Sequence, residues 1–193
     1  MQIRIFAVIA TLMAAPALAD INIKNIEAEG NLAPTQNAGC IAMTSAAADL
    51  SPADLSLSIM ACYRKGQDKR AAKLLALLYA RGRFDAARVT DKTAHQAIEV
   101  LVINLTNEGG PDWQGRMNTA FTPMTETGSS AHRALCRDLA KLQAPQHSPR
   151  YMIQHGIKAI TGKGPNPLVA NFDAEETWSW VVNSYMRCAD SGS

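Results

Sequence analysis

Four cysteines, Cys40, Cys62, Cys136 and Cys188, have the most definite chemistry available in this chain. A structural zinc site needs Cys or His ligands at short, repeated spacing, and these four offer none. Nor do His95, His132, His147 and His155 cluster with them in the sequence. In an oxidising compartment four cysteines imply two disulfides, with three possible connectivities. Gly128-Ser129-Ser130-Ala131-His132 sets a serine near a histidine but lacks the Gly-x-Ser-x-Gly elbow that exposes a nucleophile. Ser129 or Ser130 is therefore read as a helix cap. Glu175 and Glu176 supply two carboxylates, as a glycosidase requires, yet both stand in a first helical turn, where capping and the helix dipole explain them. Gly162-x-Gly164 has neither a Lys-Ser/Thr end nor a preceding strand, so it is not a phosphate loop. No catalytic, cofactor-binding or metal-ligating residue emerges.

The elements that must position the cysteines read as helices. Cys40, Met43, Ala47 and Leu50 form one narrow apolar stripe, which predicts a helix. Ser51-Pro52-Ala53-Asp54 then starts another, with Ser51 as cap, Pro52 at the first helical position and Asp54 favouring the positive end of the dipole. Leu55, Ile59 and Cys62 line that second helix, which stops near Lys65-Gly66. Ser51 lies eleven residues from both Cys40 and Cys62. In an antiparallel pair folded about Ser51, both cysteines sit level, roughly 16 Å from the turn. That symmetry predicts a Cys40–Cys62 bridge. A third helix spans Asp68 to Arg81, with Gly82 in the usual place just past its end.

Ala71, Leu75, Ala76, Leu78, Tyr79 and Gly82 resemble the first helix of a Sel1-like repeat, a relative of the tetratricopeptide repeat. Asp91-Lys92-Thr93-Ala94 and the apolar run after it would be the second helix. The likeness covers residues 71–99, with no second copy at a fixed period, and it implies closely packed helical hairpins.

Met1 to Ala19 has Arg4, an apolar run from Ile5 to Ala15, and Ala17-Leu18-Ala19 before Asp20, the pattern of a cleaved signal peptide. The run is too short to span a bilayer. No cysteine follows the cut, which argues against a lipid anchor. Residues 20–38 read as an extended N-terminal arm, 39–189 as a single helical domain and 190–193 as a tail. Within the domain, Thr90 or Asp91 starts a helix lined by Ala94, Ile98, Leu101, Val102 and Leu105. Trp113, Met117 and Phe121 suit a short helix, with a loop from Thr122-Pro123 to Gly128. Ser129 to Gln143 forms the next, and Ser148-Pro149 repeats the cap device of Ser51-Pro52 ahead of a helix lined by Ile153, Ile157 and Ile160. Asp173-Ala174-Glu175-Glu176 opens the last helix as a capping box, with Trp178, Val182, Tyr185 and Cys188 on one stripe. Cys188 then pairs with Cys136. The expected class is all-α, built of antiparallel hairpins, Sel1-like at its centre and stapled by two disulfides.

Charge is segregated along the chain. Arg64 to Lys92 carries a net +6, Asp20 to Asp54 a net −4 and the stretch from Asn171 a net −3. A solvated face accounts for such a band, and so does a docking face for an acidic partner protein. Arg64, Lys65, Lys69, Arg70, Arg81 and Arg83 are the candidate contact residues. Trp180 joins them, because it lies two residues from the core Trp178 and either packs under a loop or stands exposed. Export and a net charge near zero exclude nucleic acid. The functional expectation is a periplasmic or secreted protein-binding module, an adaptor or scaffold without cofactor. The alternatives are an inhibitor or immunity-type protein against a secreted toxin or hydrolase, and an envelope enzyme with an unrecognised site.

Overall fold

The computed structural model describes residues 27–162, 164 and 166–191. The signal-peptide reading of Met1 to Ala19 and the start of the arm lie outside them. Among the described residues eight α-helices follow in order: α1 (Pro52–Arg64), α2 (Asp68–Arg88), α3 (Ala97–Gly109), α4 (Trp113–Thr125), α5 (Ser130–Leu139), α6 (Arg150–Ile153), α7 (Ile157–Thr161) and α8 (Ala174–Trp180). Met43–Ser45, Lys92–Gln96 and Cys188–Ser191 are 3-10 turns, and Val181–Tyr185 is a π turn. No strand occurs among the described residues beyond one isolated bridge, Val89 to Leu168. The fold is all-α, with disulfides Cys40–Cys62 and Cys136–Cys188.

Local signals set the first hairpin. The Ser51 hydroxyl accepts from the Asp54 N–H, and the Asp54 carboxylate accepts in return from the Ser51 N–H at 2.7 Å. These bonds satisfy orphan donors at the start of α1. Gly66, at φ +68°, closes the helix: its N–H reaches the Tyr63 carbonyl and the Gln67 N–H the Cys62 carbonyl, the paired bonds of a left-handed C-terminal cap. The chain reverses there into α2. The buried Asp54 also holds the arm, its Oδ1 accepting from the backbone of Thr35 at 2.5 Å and Gln36 at 2.7 Å.

α2 lies at the centre. Leu74, Leu77, Leu78 and Phe84 are fully buried on it, as are Arg81 and Asp85. Between Ala71 and Leu78 only Lys73 is not apolar, and a stretch apolar on most sides must be covered on most sides; α1, α4 and α8 supply much of that cover. α2 does not end at Gly82 but continues to Arg88. Gly82 serves close approach instead, since a Cβ there would overlap the Ile98 side chain of α3.

Other expectations are corrected by tertiary contacts. Cys40 to Leu50 is not a helix; only Met43–Ser45 turns. Its carbonyls serve distant donors, with Arg81 bonded to Leu50 O and Ala46 O and the Gln146 N–H to Ala48 O at 2.8 Å. α4 runs through Pro123 to Thr125, where the buried Met124 holds the last turn to the core. α5 stops at Leu139 rather than Gln143, and Ser148 makes no cap for α6. Ile153, Ile157 and Ile160 do not share an inward stripe: the helix breaks before Gly156, leaving Ile157 and Ile160 exposed. Asp91 causes the break. Its carboxylate accepts from the Lys158 N–H at 3.0 Å and lies where a side chain at Gly156 would sit. The last 3-10 turn reaches Ser191, beyond the expected start of the tail.

Asp85 is the hub of the buried polar groups. Its Oδ1 accepts from Arg88 Nε at 2.9 Å and Nη2 at 2.7 Å, its Oδ2 from the Tyr151 hydroxyl and His147 Nε2, both at 2.8 Å. Asp85→Ala leaves those donors buried without an acceptor and should lower unfolding free energy by about 3–5 kcal/mol. Urea titration of the variant checks this.

Acid should also unfold the chain through named groups. Burial raises the Asp91 carboxyl pKa, but the Thr93 hydroxyl, the N–H groups of Lys158 and Thr93 and the Lys158 charge hold it below the ordinary range. Burial acts likewise on Asp138, and Lys73 and Lys141 hold it low. Both folded values lie below the unfolded ones, so the stabilisation is complete above about pH 4 and is lost as pH falls through the folded values. Stability should therefore drop as pH falls below about 4, and Asp91→Asn should shrink that drop while lowering stability at pH 7.

Candidate binding site

Part of one face of α2 stays accessible near its C-terminal half, where the half-buried Tyr79 and the exposed Arg83 stand at i and i+4, with the buried Ala76 behind Tyr79 on the same stripe. Beside it α4 contributes Phe121, Met124 and Thr125, α5 contributes His132 and Leu135, and the chain after α8 contributes Tyr185, Met186 and Arg187. Except for Arg83, these residues line an open cavity of about 360 Å³. The Tyr79 and Phe121 rings stand 6.1 Å apart in its wall. Burial, the neighbouring Tyr185 and Glu99 all push the Tyr79 hydroxyl pKa upward, so the phenol stays a neutral donor at pH 7.

The third wall depends on the π turn. An α-helical continuation would face Val182 and Tyr185 inward with Trp178. The extra residue of a π turn shifts the register: Val181 is buried instead, and Tyr185 is 43% exposed. The expected Trp178–Val182–Tyr185 stripe is corrected accordingly. Two bonds then fix the segment. Buried His132 accepts the Gly128 N–H at Nδ1, 3.4 Å, and donates from Nε2 to the Met186 carbonyl at 3.0 Å. Two residues further on, Cys188 is tied to Cys136 of α5. Arg187 between them has φ +60°, a left-handed conformation rare for a side chain of its size.

His132, Cys136 and Cys188 bring three potential metal-ligand atoms within 4.8 Å of one another, a cluster invisible in the sequence. The bonding does not suit a metal. Both sulfurs are joined to each other, and both imidazole nitrogens are engaged by the backbone. The other histidines are held too: His95 by Val89 O, His155 by Asn31 and His147 by Asp85. Ser129 caps α5 by accepting from the His132 N–H at 2.9 Å, and Asp173 caps α8 by accepting from the Glu176 N–H at 2.9 Å.

The basic band does not form one surface. Arg64, Lys65, Lys69 and Arg70 are exposed around the α1–α2 turn, with Arg64 paired to Glu108 at 2.5 Å. Arg81 is not a contact residue. It is fully buried, its guanidinium bonded to Leu50 O and Ala46 O, and burial lowers its pKa to about 10 despite the Asp85 charge. Arg83 is exposed but lies fourteen residues along α2 from Lys69, roughly 21 Å away. There its guanidinium packs over the Trp180 ring at 5.2 Å and the Tyr185 ring at 5.8 Å. Trp180 is 43% exposed rather than covered by a loop. Of the candidate contacts, then, Arg83 and Trp180 come together, and the sequence reading did not anticipate Tyr79, Phe121, Met124 or Tyr185 beside them.

Comparison with known proteins finds no matching family model, curated protein or solved structure.

The cavity wall should depend on one disulfide and not the other. The Cys136–Cys188 loop is the longer, so its removal should cost about 4 kcal/mol against about 3 for Cys40–Cys62. Under native conditions, Cys136→Ser with Cys188→Ser should speed amide exchange across residues 181–191. The Cys40→Ser, Cys62→Ser pair should leave that segment protected.

Proposed function

We propose that this chain is an exported, non-enzymatic protein-binding module of the cell envelope, an adaptor or scaffold that holds its partner on the surface described above. The observation carrying this reading is Arg83 packed against the exposed Trp180 and Tyr185 at the edge of an apolar cavity. Trp, Tyr and Arg are the residue types that dominate binding hot spots. They act strongly where a pocket lets them be desolvated.

Export is supported by the signal-like pattern of Met1 to Ala19 and by two disulfides, which persist in oxidising compartments. No helix among the described residues is long and apolar enough to cross a membrane. Arg64, Lys65, Lys69 and Arg70 have a separate role in this reading. They steer an acidic partner from a distance, and salt screens that effect with a Debye length of ~8 Å at physiological strength.

The test is capture of partners from an envelope fraction by the wild-type chain and by Trp180→Ala and Tyr185→Ala. Each substitution should weaken capture of the same partner about tenfold or more. Lys69→Glu with Arg70→Glu should slow association at low salt and leave dissociation unchanged. If all variants capture the same proteins equally, this surface is not the site.

A further inference from the structure

We infer that the site takes a segment of a partner protein presenting two large apolar side chains, with a carboxylate beside one of them. The inference rests on the binding-module reading above and states what the partner must look like. Tyr79 and Phe121 wall a second hollow of about 310 Å³ on their other side, between α2, α3 and α4 and floored by Trp113 and Met117. Both hollows fall in the ~300–1,000 Å³ range of sites that enclose apolar groups. Two of them sharing one aromatic wall suit a chain with spaced side chains better than one small molecule. Peptide segments anchor in helical grooves in this way.

Charge sets the rest of the occupant. Among the described residues no acidic side chain lines either hollow, and Glu99 acts on the shared Tyr79 wall only through its charge. Arg83 and Arg187 are both exposed on the C-terminal side, and neither guanidinium has a hydrogen bond or ion pair among the described residues. Arg187 borders the first hollow, on a segment fixed by the His132–Met186 bond and the Cys136–Cys188 bridge. A guanidinium held on an anchored backbone is pre-organised for a carboxylate. The partner's acid therefore belongs beside the side chain that enters the 360 Å³ hollow.

A phage-displayed library of random twelve-residue peptides, panned on the disulfide-intact chain, tests this. Enriched peptides should carry two large apolar residues and an Asp or Glu next to one. Arg83→Glu with Arg187→Glu should weaken a selected peptide about tenfold, and replacing its acid by Asn or Gln should remove that difference. Thr125→Trp, an exposed rim position, should plug the first hollow and abolish binding with the circular dichroism spectrum unchanged. Enriched peptides without an acid, blocked by Thr125→Trp but indifferent to the arginine reversals, would overturn this inference and leave the binding-module reading intact. Peptides indifferent to Thr125→Trp and to Trp180→Ala, or no enrichment at all, would sink both. Dimerisation lost in Tyr185→Ala would make a second copy the occupant, and displacement of the peptide by micromolar decanoate would make it an anionic amphiphile. Either result overturns the inference.

Discussion

Burial of α2 on almost every side is the constraint on which the rest of the structure depends. Twelve of its twenty-one residues are buried, and two of them are Arg81 and Asp85. A charged group removed from water is tolerated only when it is paired and hydrogen-bonded. Arg81 therefore draws in the backbone of residues 46–50, while Asp85 draws in Arg88, His147 and Tyr151. Segments that have little regular structure of their own are positioned by these two side chains. The core is thus specified by polar bonds at its centre as much as by apolar packing around it.

That arrangement also decides where a site can exist. With α1 against one side of α2 and the 46–50 loop across Arg81, the side chains left accessible between Leu74 and Asp85 are Tyr79 and Arg83. The C-terminal segment cannot settle there as a plain helix, because Val181 is buried and Cys188 is already tied to α5. The π turn reconciles the two demands by inserting a residue between them. Tyr185 is turned outward as a result, and an aromatic rim takes the place of a closed core.

Much of the fold was legible because its signals are local. Ser51-Pro52 and Asp173 cap where the sequence places them, and Asp91 caps the 3-10 turn that leads into α3. Caps and glycine turns depend on neighbours within four residues, so a sequence can show them, although Ser148-Pro149 and Gly82 carry the same signals without the outcome. The disulfide pairs were legible for a different reason, since Cys40 and Cys62 lie equally far from one strong chain reversal. Their pairing survives although only one of the two flanking segments is helical, because an antiparallel return needs the reversal more than it needs two helices.

What could not be read is whatever tertiary contact decides. Gly82 has the spacing of a helix stop, but only the approach of Ile98 reveals why glycine is there. Arg81 sits in a run of basic residues and differs from Arg83 by two positions, yet one is fully buried and the other exposed. Nothing in their residue type separates them; the helical angle of about 200° between them does. Arg81 shares a face with Asp85 at i+4, whereas Arg83 shares one with Tyr79. The charge density of the band was therefore a poor guide to the site. A periodicity argument applied to the charged residues, rather than only to the apolar ones, would have divided the band into a buried pair and a surface arginine beside an aromatic ring.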